Sequence, residues 1–179
     1  PTMTDLELFQ ILRPHIMTVT GVPECILADP NAQAPLGEYA SVRPTQAVRM
    51  RGQANIYTSD QPGNLVRTDV RAQIIADCDV NFYRGSALAR ARSLMECHKR
   101  PDVAWDLFRH KIGWGGTEAV NNLTALQASN FEQRAQITIR LMYETSSVVD
   151  INNILSASAV VQNENGQTLQ SVAVNLDVL

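Results

Sequence analysis

Long apolar runs are missing from this 179-residue chain. None approaches the roughly 20 residues that a helix needs to cross a bilayer, and no basic stretch followed by an apolar one marks a signal peptide. Cysteine is scarce. Cys25, Cys78 and Cys97 are odd in number and scattered, which excludes a disulfide framework. The expectation is a soluble protein assembled in a reducing cytoplasm, with no membrane partner. Charge is sparse as well, at 18% of residues against a usual share of about a quarter. A surface poor in charge and well supplied with Asn, Gln, Ser and Thr suits one kept against protein partners. The formal net charge of -3 excludes a protein whose main task is wrapping nucleic acid, which carries a basic footprint. Internal repeats and low-complexity tracts are absent. What remains is an ordinary globular composition with 45% hydrophobic residues. The chain is long enough to bury roughly two-thirds of its unfolded surface as one domain.

Catalytic and metal-binding patterns are missing too. His15, His98 and His110 have no second ligand at metal spacing. Cys97 and His98 are adjacent, and neighbours on a helix point apart, so a surface His beside a buried Cys is preferred to a zinc site. Asp77 and Asp79 stand two apart on one strand face and could converge on a divalent ion. No further carboxylate joins them, and a solvated or interface face is preferred. Glu96 and Asp102 suggest no acid–base pair. A nucleophile would have to be Cys97 with His98 or His110, or a serine, and no G-x-S-x-G elbow is present. Gly113-Trp114-Gly115-Gly116 lacks the Lys-Ser/Thr of a phosphate loop. It reads as a turn or loop, with Trp114 packing on the body or on a neighbour. No catalytic group, no cofactor and no bound metal are expected.

What is present is alternation. From Arg71 to Tyr83, residues Ala72, Ile74, Ala76, Cys78, Val80 and Phe82 fall on one side, while Arg71, Gln73, Asp77, Asp79 and Asn81 fall on the other. From Gln133 to Glu144, residues Ala135, Ile137, Ile139, Leu141 and Tyr143 alternate with Arg134, Gln136, Thr138, Arg140 and Glu144. A period of two marks strands with one face in a core and one face wet. These two are expected to be neighbours in one sheet, with Cys78 a small core residue.

Around them the chain carries clear punctuation. Thr4-Asp5-Leu6-Glu7 is a capping box opening a helix over about residues 4–18, with Leu8, Phe9, Leu12 and Ile16 at helical spacing. Pro14 should kink it or end it early, and Gly21-Val22-Pro23 closes it. Residues 28–37 read as a loop. Glu38 to Val48 is one strand or two short ones, at an edge or bulged at Pro44, whose missing N–H cannot join a ladder. An arm or hairpin over about residues 46–70 turns at Ser59 to Asn64. Ser86 caps an amphipathic helix over about residues 86–99, and Pro101 starts a second that carries Val103, Trp105, Leu107 and Phe108 and ends near Lys111. Val120, Leu123, Leu126 and Ala128 suggest a strand, helix being the alternative. Runs from Ile154 to Val161 and from Thr168 to Leu176 flank Asn163-Glu164-Asn165-Gly166, which predicts a hairpin on a type I′ Asn-Gly turn. The predicted fold is α+β: a mostly antiparallel sheet packed against two or three helices, with projecting β-hairpin arms. Residues 1–155 form the body, and residues 156–179 a C-terminal hairpin or arm of the same domain.

Arg43, Arg49, Arg51, Arg67 and Arg71 gather around the proposed arm, with Tyr57 the nearby aromatic. One reading is contact with DNA phosphates. The other, which is preferred, is a solvated arm or one pairing with carboxylates of a neighbouring subunit. Candidate interface or channel residues are Arg43, Arg49, Met50, Arg51, Tyr57, Trp114, Asn165 and Gly166.

The order of capped helix, loop, strand with arm, long strand and helix (Val80 to Met95) leads to two further stretches. These are Glu132-Gln133-Arg134-Ala135-Gln136-Ile137-Thr138-Ile139-Arg140-Leu141-Met142-Tyr143 and Val148-Val149-Asp150-Ile151. The whole resembles the bacteriophage neck or tail terminator family over about residues 4–155, in a near-terminal strand that begins Arg-Ala, alternates, and is closed by an Asp-hydrophobic pair. The hairpin after Asn153 departs from the family's short form and reads as an added assembly arm. The resemblance implies a structural virion protein without enzymatic activity. It implies a ring, commonly hexameric, at the junction of head connector and tail or at the end of a tail tube, around the channel through which the genome passes. Implied partners are further copies of the chain, a connector or head-completion protein, tail proteins, and genomic DNA in transient contact. The alternative is a DNA-binding or DNA-end-contacting packaging accessory protein.

Overall fold

The computed structural model describes residues 3–28, 33–127, 130–154 and 156–175. The chain divides into two compact units, residues 1–54 with 72–146 and residues 55–71 with 147–179.

The first unit opens with α1 (Asp5–Thr20) on the expected capping box. Thr4 Oγ1 accepts from the Glu7 amide at 3.2 Å, and the Glu7 carboxylate accepts from the Thr4 amide at 2.7 Å. These bonds hold the Glu7 carboxyl below its ordinary pKa. Of the two expected effects of Pro14, an early end does not occur: the helix runs through it to Thr20. Leu8, Leu12 and Ile16 form one buried stripe across the proline, and that packing outweighs the backbone bond Pro14 cannot make. α1 stops at Gly21, which adopts the left-handed conformation of a C-cap at φ 65°.

Alternation did not reveal β1 (Glu24–Leu27), which pairs in parallel with β2 (Tyr39–Met50). The register of β2 on its other neighbour slips between Arg43 and Ala47, the bulge expected at Pro44. Next come β3 (Asn55–Gln61), which belongs to the second unit, and the long strand β4 (Leu65–Tyr83). The strand begins at Leu65 rather than at Arg71. β4 turns into the next helix through Arg84 and Gly85, both at positive φ. A Cβ on Gly85 would sit on the Glu38 carboxylate, which Arg90 grips in an ion pair.

The helix expected over residues 86–99 is shorter. α2 (Ala87–Leu94) is followed by a 3-10 turn at Cys97–Lys99, and Ser86 makes no side-chain capping bond. Pro101 drives Arg100 to an extended conformation (ψ 132°), so the chain must leave the helix before it. In α3 (Pro101–Arg109), Val103 and Leu107 are buried, whereas Trp105 and Phe108 face outward.

The stretch read as a glycine turn is a strand. β5 (Gly113–Thr117) pairs antiparallel with β9 (Arg134–Asn152), placing Trp114 opposite Leu141. Small residues suit this close approach, since a Cβ on Gly115 would meet Arg140 and Met142 side-chain carbons at 3.3 Å. Between them, β6 (Asn121–Asn122) pairs with β9, and β7 (Ala125–Gln127) with β8 (Asn130–Glu132). These short pieces replace the single strand expected over residues 120–128, and Ala128 lies outside the described residues. Asn122 bends the chain by accepting from the Thr124 amide at 3.1 Å.

Strand order is β1-β2-β4-β9-β5. Of the residues placed on the apolar side of β4, Ala76, Cys78, Val80 and Phe82 are buried. So are Ala135, Ile137, Ile139, Leu141 and Tyr143 of β9. They share one core with Leu8, Leu12 and Ile16 of α1, Ala87, Ala91 and Leu94 of α2, and Val103 and Leu107 of α3. The helices therefore cover one face of the sheet, and the polar side chains occupy the other.

In the second unit, β3 pairs with residues 65–71 of β4 through the turn expected there, where Gly63 and Asn64 both have positive φ. The end of β9 is tied to the same strand. Arg67 holds Asp150 with two bonds of 2.8 and 3.0 Å, and the Asn153 amide donates to the Asn64 carbonyl at 3.0 Å. The C-terminal hairpin is present as β10 (Ser156–Gln162) and β11 (Thr168–Asn175); residues 176–179 of the predicted arm lie outside the described residues. Its turn is not type I′. The Gly166 amide donates to the Asn163 carbonyl at 3.0 Å, and only Gly166, not Asn165, has positive φ. The Asn163 side chain supplies the reason: its Oδ1 accepts from the Asn165 and Gln167 amides at 3.1 and 2.8 Å, which stabilises a longer loop. Among the described residues no helix is long and apolar enough to cross a membrane.

Candidate assembly surfaces

The polar face of the first unit's sheet carries a bonded charge network. Arg49 of β2 donates to Asp77 of β4 at 2.6 Å, and Arg140 of β9 reaches both Asp77 and Glu118 at 3.5 and 3.4 Å. The Arg49 bond, with Arg140 behind it, holds the Asp77 carboxyl below its ordinary pKa. One step along, Asp79 is buried and accepts from Gln136 Nε2 at 2.9 Å and Thr138 Oγ1 at 2.6 Å. The two aspartates are thus engaged by protein groups rather than converging on an ion. No group of three or more His, Cys, Asp or Glu residues arranged to hold a metal occurs among the described residues.

The cysteines offer little nucleophilic character. Burial pushes the Cys25 and Cys97 thiols up to about 12 and raises Cys78 as well. The ring of His98, the neighbour of Cys97, stacks on Trp114 with centroids 5.4 Å apart.

The candidate interface residues separate into four places. On β2, Arg43 donates to Gln46 at 2.7 Å, Arg49 is tied to Asp77, and Met50 is exposed. Exposed Arg51 follows, its amide donating to the Gln73 carbonyl at 2.8 Å. Trp114 sits on β5, packed against its own core. Tyr57, on β3, lies under the Arg71 guanidinium at 5.1 Å, and Asn165 and Gly166 form the tip of the β10–β11 hairpin. Among the described residues, Arg49 pairs with Asp77, Arg67 with Asp150, and Arg71 with Asp69. That internal neutralisation weighs against a phosphate-binding stripe.

Apolar exposure in the second unit is extensive. On β3 and β4, Ile56–Val70 and Asp60–Val66 share one face, and Tyr57–Asp69 and Ser59–Arg67 share the other. Ile56 is 67% exposed. On the hairpin, Ala157–Val174, Ala159–Val172 and Val161–Gln170 stand on one face, and Ser158–Ala173 and Val160–Ser171 on the other. Val161, Val172 and Val174 are all about half exposed or more. A two-stranded hairpin with an uncovered apolar face is marginal in water by itself, and such faces mark contact surfaces.

Sequence reasoning missed one further surface on α3. Trp105 and Phe108 stack on each other with centroids 5.7 Å apart while 63% and 71% exposed. The signal was available: Val103 and Leu107 stand four apart on one helix face, and Trp105 and Phe108 do not share it.

No curated relative matches the chain. The family model of the phage neck terminator protein matches residues 6–166, almost the whole of the first unit and much of the second. That span takes in the sheet, the three helices, the β3–β4 arm and the C-terminal hairpin as far as its turn, so the chain belongs to the phage neck terminator protein family.

Proposed function

We propose that the chain is a non-catalytic subunit of a closed ring, most simply of six copies, in the phage neck. The ring joins the head connector or head-completion protein to the tail and surrounds the channel for DNA. One observation carries this reading: the second unit holds strands whose apolar residues Ile56, Val148, Val149, Ile151, Val161, Val172 and Val174 stand exposed. A monomer gains nothing from that arrangement. Rotational assembly joins one patch to a different patch on the next copy, and strand ladders and apolar strand faces supply such contacts with little charge. In this reading residues 156–179 act as an assembly arm of the same domain. Met50, Tyr57, Asn165 and Gly166 border subunit contacts, and Arg43 and Arg51 lie nearer the channel or a neighbour. The neutralised arginines favour protein contact over the packaging-accessory alternative.

The test is the size of the purified full chain by native mass spectrometry or light scattering, with a chain lacking residues 156–179 beside it. The full chain is expected to assemble. The truncated chain is expected to keep a folded sheet and to assemble at least tenfold more weakly. Normal assembly of the truncated chain would remove the arm from the proposal.

A further inference from the structure

Two surfaces of the first unit are complementary to each other and cannot meet within one chain, because α3 contributes to both. One is concave. Met3, Glu7, Gln10, Ile11 and Pro14 at the start of the chain and on α1, Asp106 of α3 with His110 at its C-cap, and Glu144 of β9 line a groove of about 630 Å³. Its lining is apolar at Met3, Ile11 and Pro14. Among the described residues it carries the carboxylates Glu7, Asp106 and Glu144 and no lysine or arginine. His15 of α1 bonds Asp106 of α3 at 2.7 Å, which ties the two helices that line the groove. The other surface is the stacked, exposed pair Trp105 and Phe108 of α3, with Arg109 and Lys111 following in the chain and Asp102, one turn before, paired with Arg100 at 2.8 Å.

Asp106 and the C-cap residue His110 lie on one flank of α3, whereas Trp105 and Phe108 lie on its outer side, at other positions around a 3.6-residue turn. An aromatic knob bordered by positive charge fits an apolar groove bordered by negative charge. Exposed Trp and Phe are the residue types that anchor protein contacts when a pocket receives them. We propose that the Trp105–Phe108 knob of one copy docks into the α1–α3 groove of the next. The occupant of the groove is thus a second copy of this chain, and the contact is head-to-tail. The inference rests on the ring reading above and adds the contact that propagates it. A head-to-tail contact gives a ring when its rotation closes and an open filament when it does not, and the opposed charges set its direction while resisting knob-to-knob pairing.

Two full-length variants test this. Trp105→Ala with Phe108→Ala removes the knob and leaves the groove. Gln10→Arg, at an exposed position of α1, fills the groove with a long cation and leaves the knob. Both alter exposed side chains, so circular dichroism and thermal melting should match the wild type. Each variant alone is expected to need at least a tenfold higher concentration to assemble. Mixed one to one, they retain a single good knob and a single good groove, so native mass spectrometry should show a heterodimer that grows no further. Three results overturn the inference while leaving the ring reading intact: assembly of either folded variant at wild-type concentrations, no heterodimer on mixing, or full rings from the mixture. A wild-type chain that stays single at all concentrations overturns the ring reading itself.

Discussion

Asp79 lies on the sheet face that alternation marks as wet, yet only 8% of it is exposed and two donors from β9 point at its carboxylate. Asp79→Ala leaves Gln136 and Thr138 without that acceptor. The expected cost is about 2–3 kcal/mol, read as a lower urea midpoint at unchanged slope. Its neighbour Asp77 gives a pH signature. Arg49 holds the folded carboxyl below its ordinary value, so the pair adds stability above the unfolded pKa near 3.9 and loses it as pH falls through the folded value. Asp77→Asn is therefore expected to be less stable than the wild type at pH 7, and the gap should close as pH drops below about 4. Urea unfolding at several pH values checks it; a gap that persists at pH 2 would assign the loss to packing instead. The sequence placed both aspartates on the correct face. It did not reveal the burial of Asp79, because that depends on which β9 residues stand opposite, and a period of two carries no information on register.

At the scale of elements, regular local patterns were legible and compromises were not. The two long strands, the capping box and the Gly63-Asn64 turn follow from residue spacing and turn chemistry. β5 does not: Gly113, Gly115 and Gly116 are poor strand formers, and pairing with β9 overrides that preference. β1 escaped notice because four residues are too few to display a period. α1 overrides a local rule in the same way by running through Pro14. Pro14→Ala returns a backbone donor to an exposed helix position and is expected to stabilise the protein by about 1–3 kcal/mol. Thermal melting together with urea titration tests it; no gain would mean the helix around Pro14 is shaped to do without that bond. Trp105 and Phe108 are a different case. The wheel position that exposes them could have been read from the sequence, and their stacking on the outer side of α3 required the structure.

At the scale of the whole molecule, the chain is a structural phage neck protein of the virion, on the strength of the family match over residues 6–166. Its composition agrees with that role at a coarse level: few charges, three buried free cysteines and much apolar strand surface left uncovered. The most direct measurement is native mass spectrometry of the purified full-length chain over a range of micromolar concentrations. A closed species of six copies is expected, with loss of that species when residues 156–179 are removed. A single 19.8 kDa chain at every concentration would contradict assembly as the function of this fold.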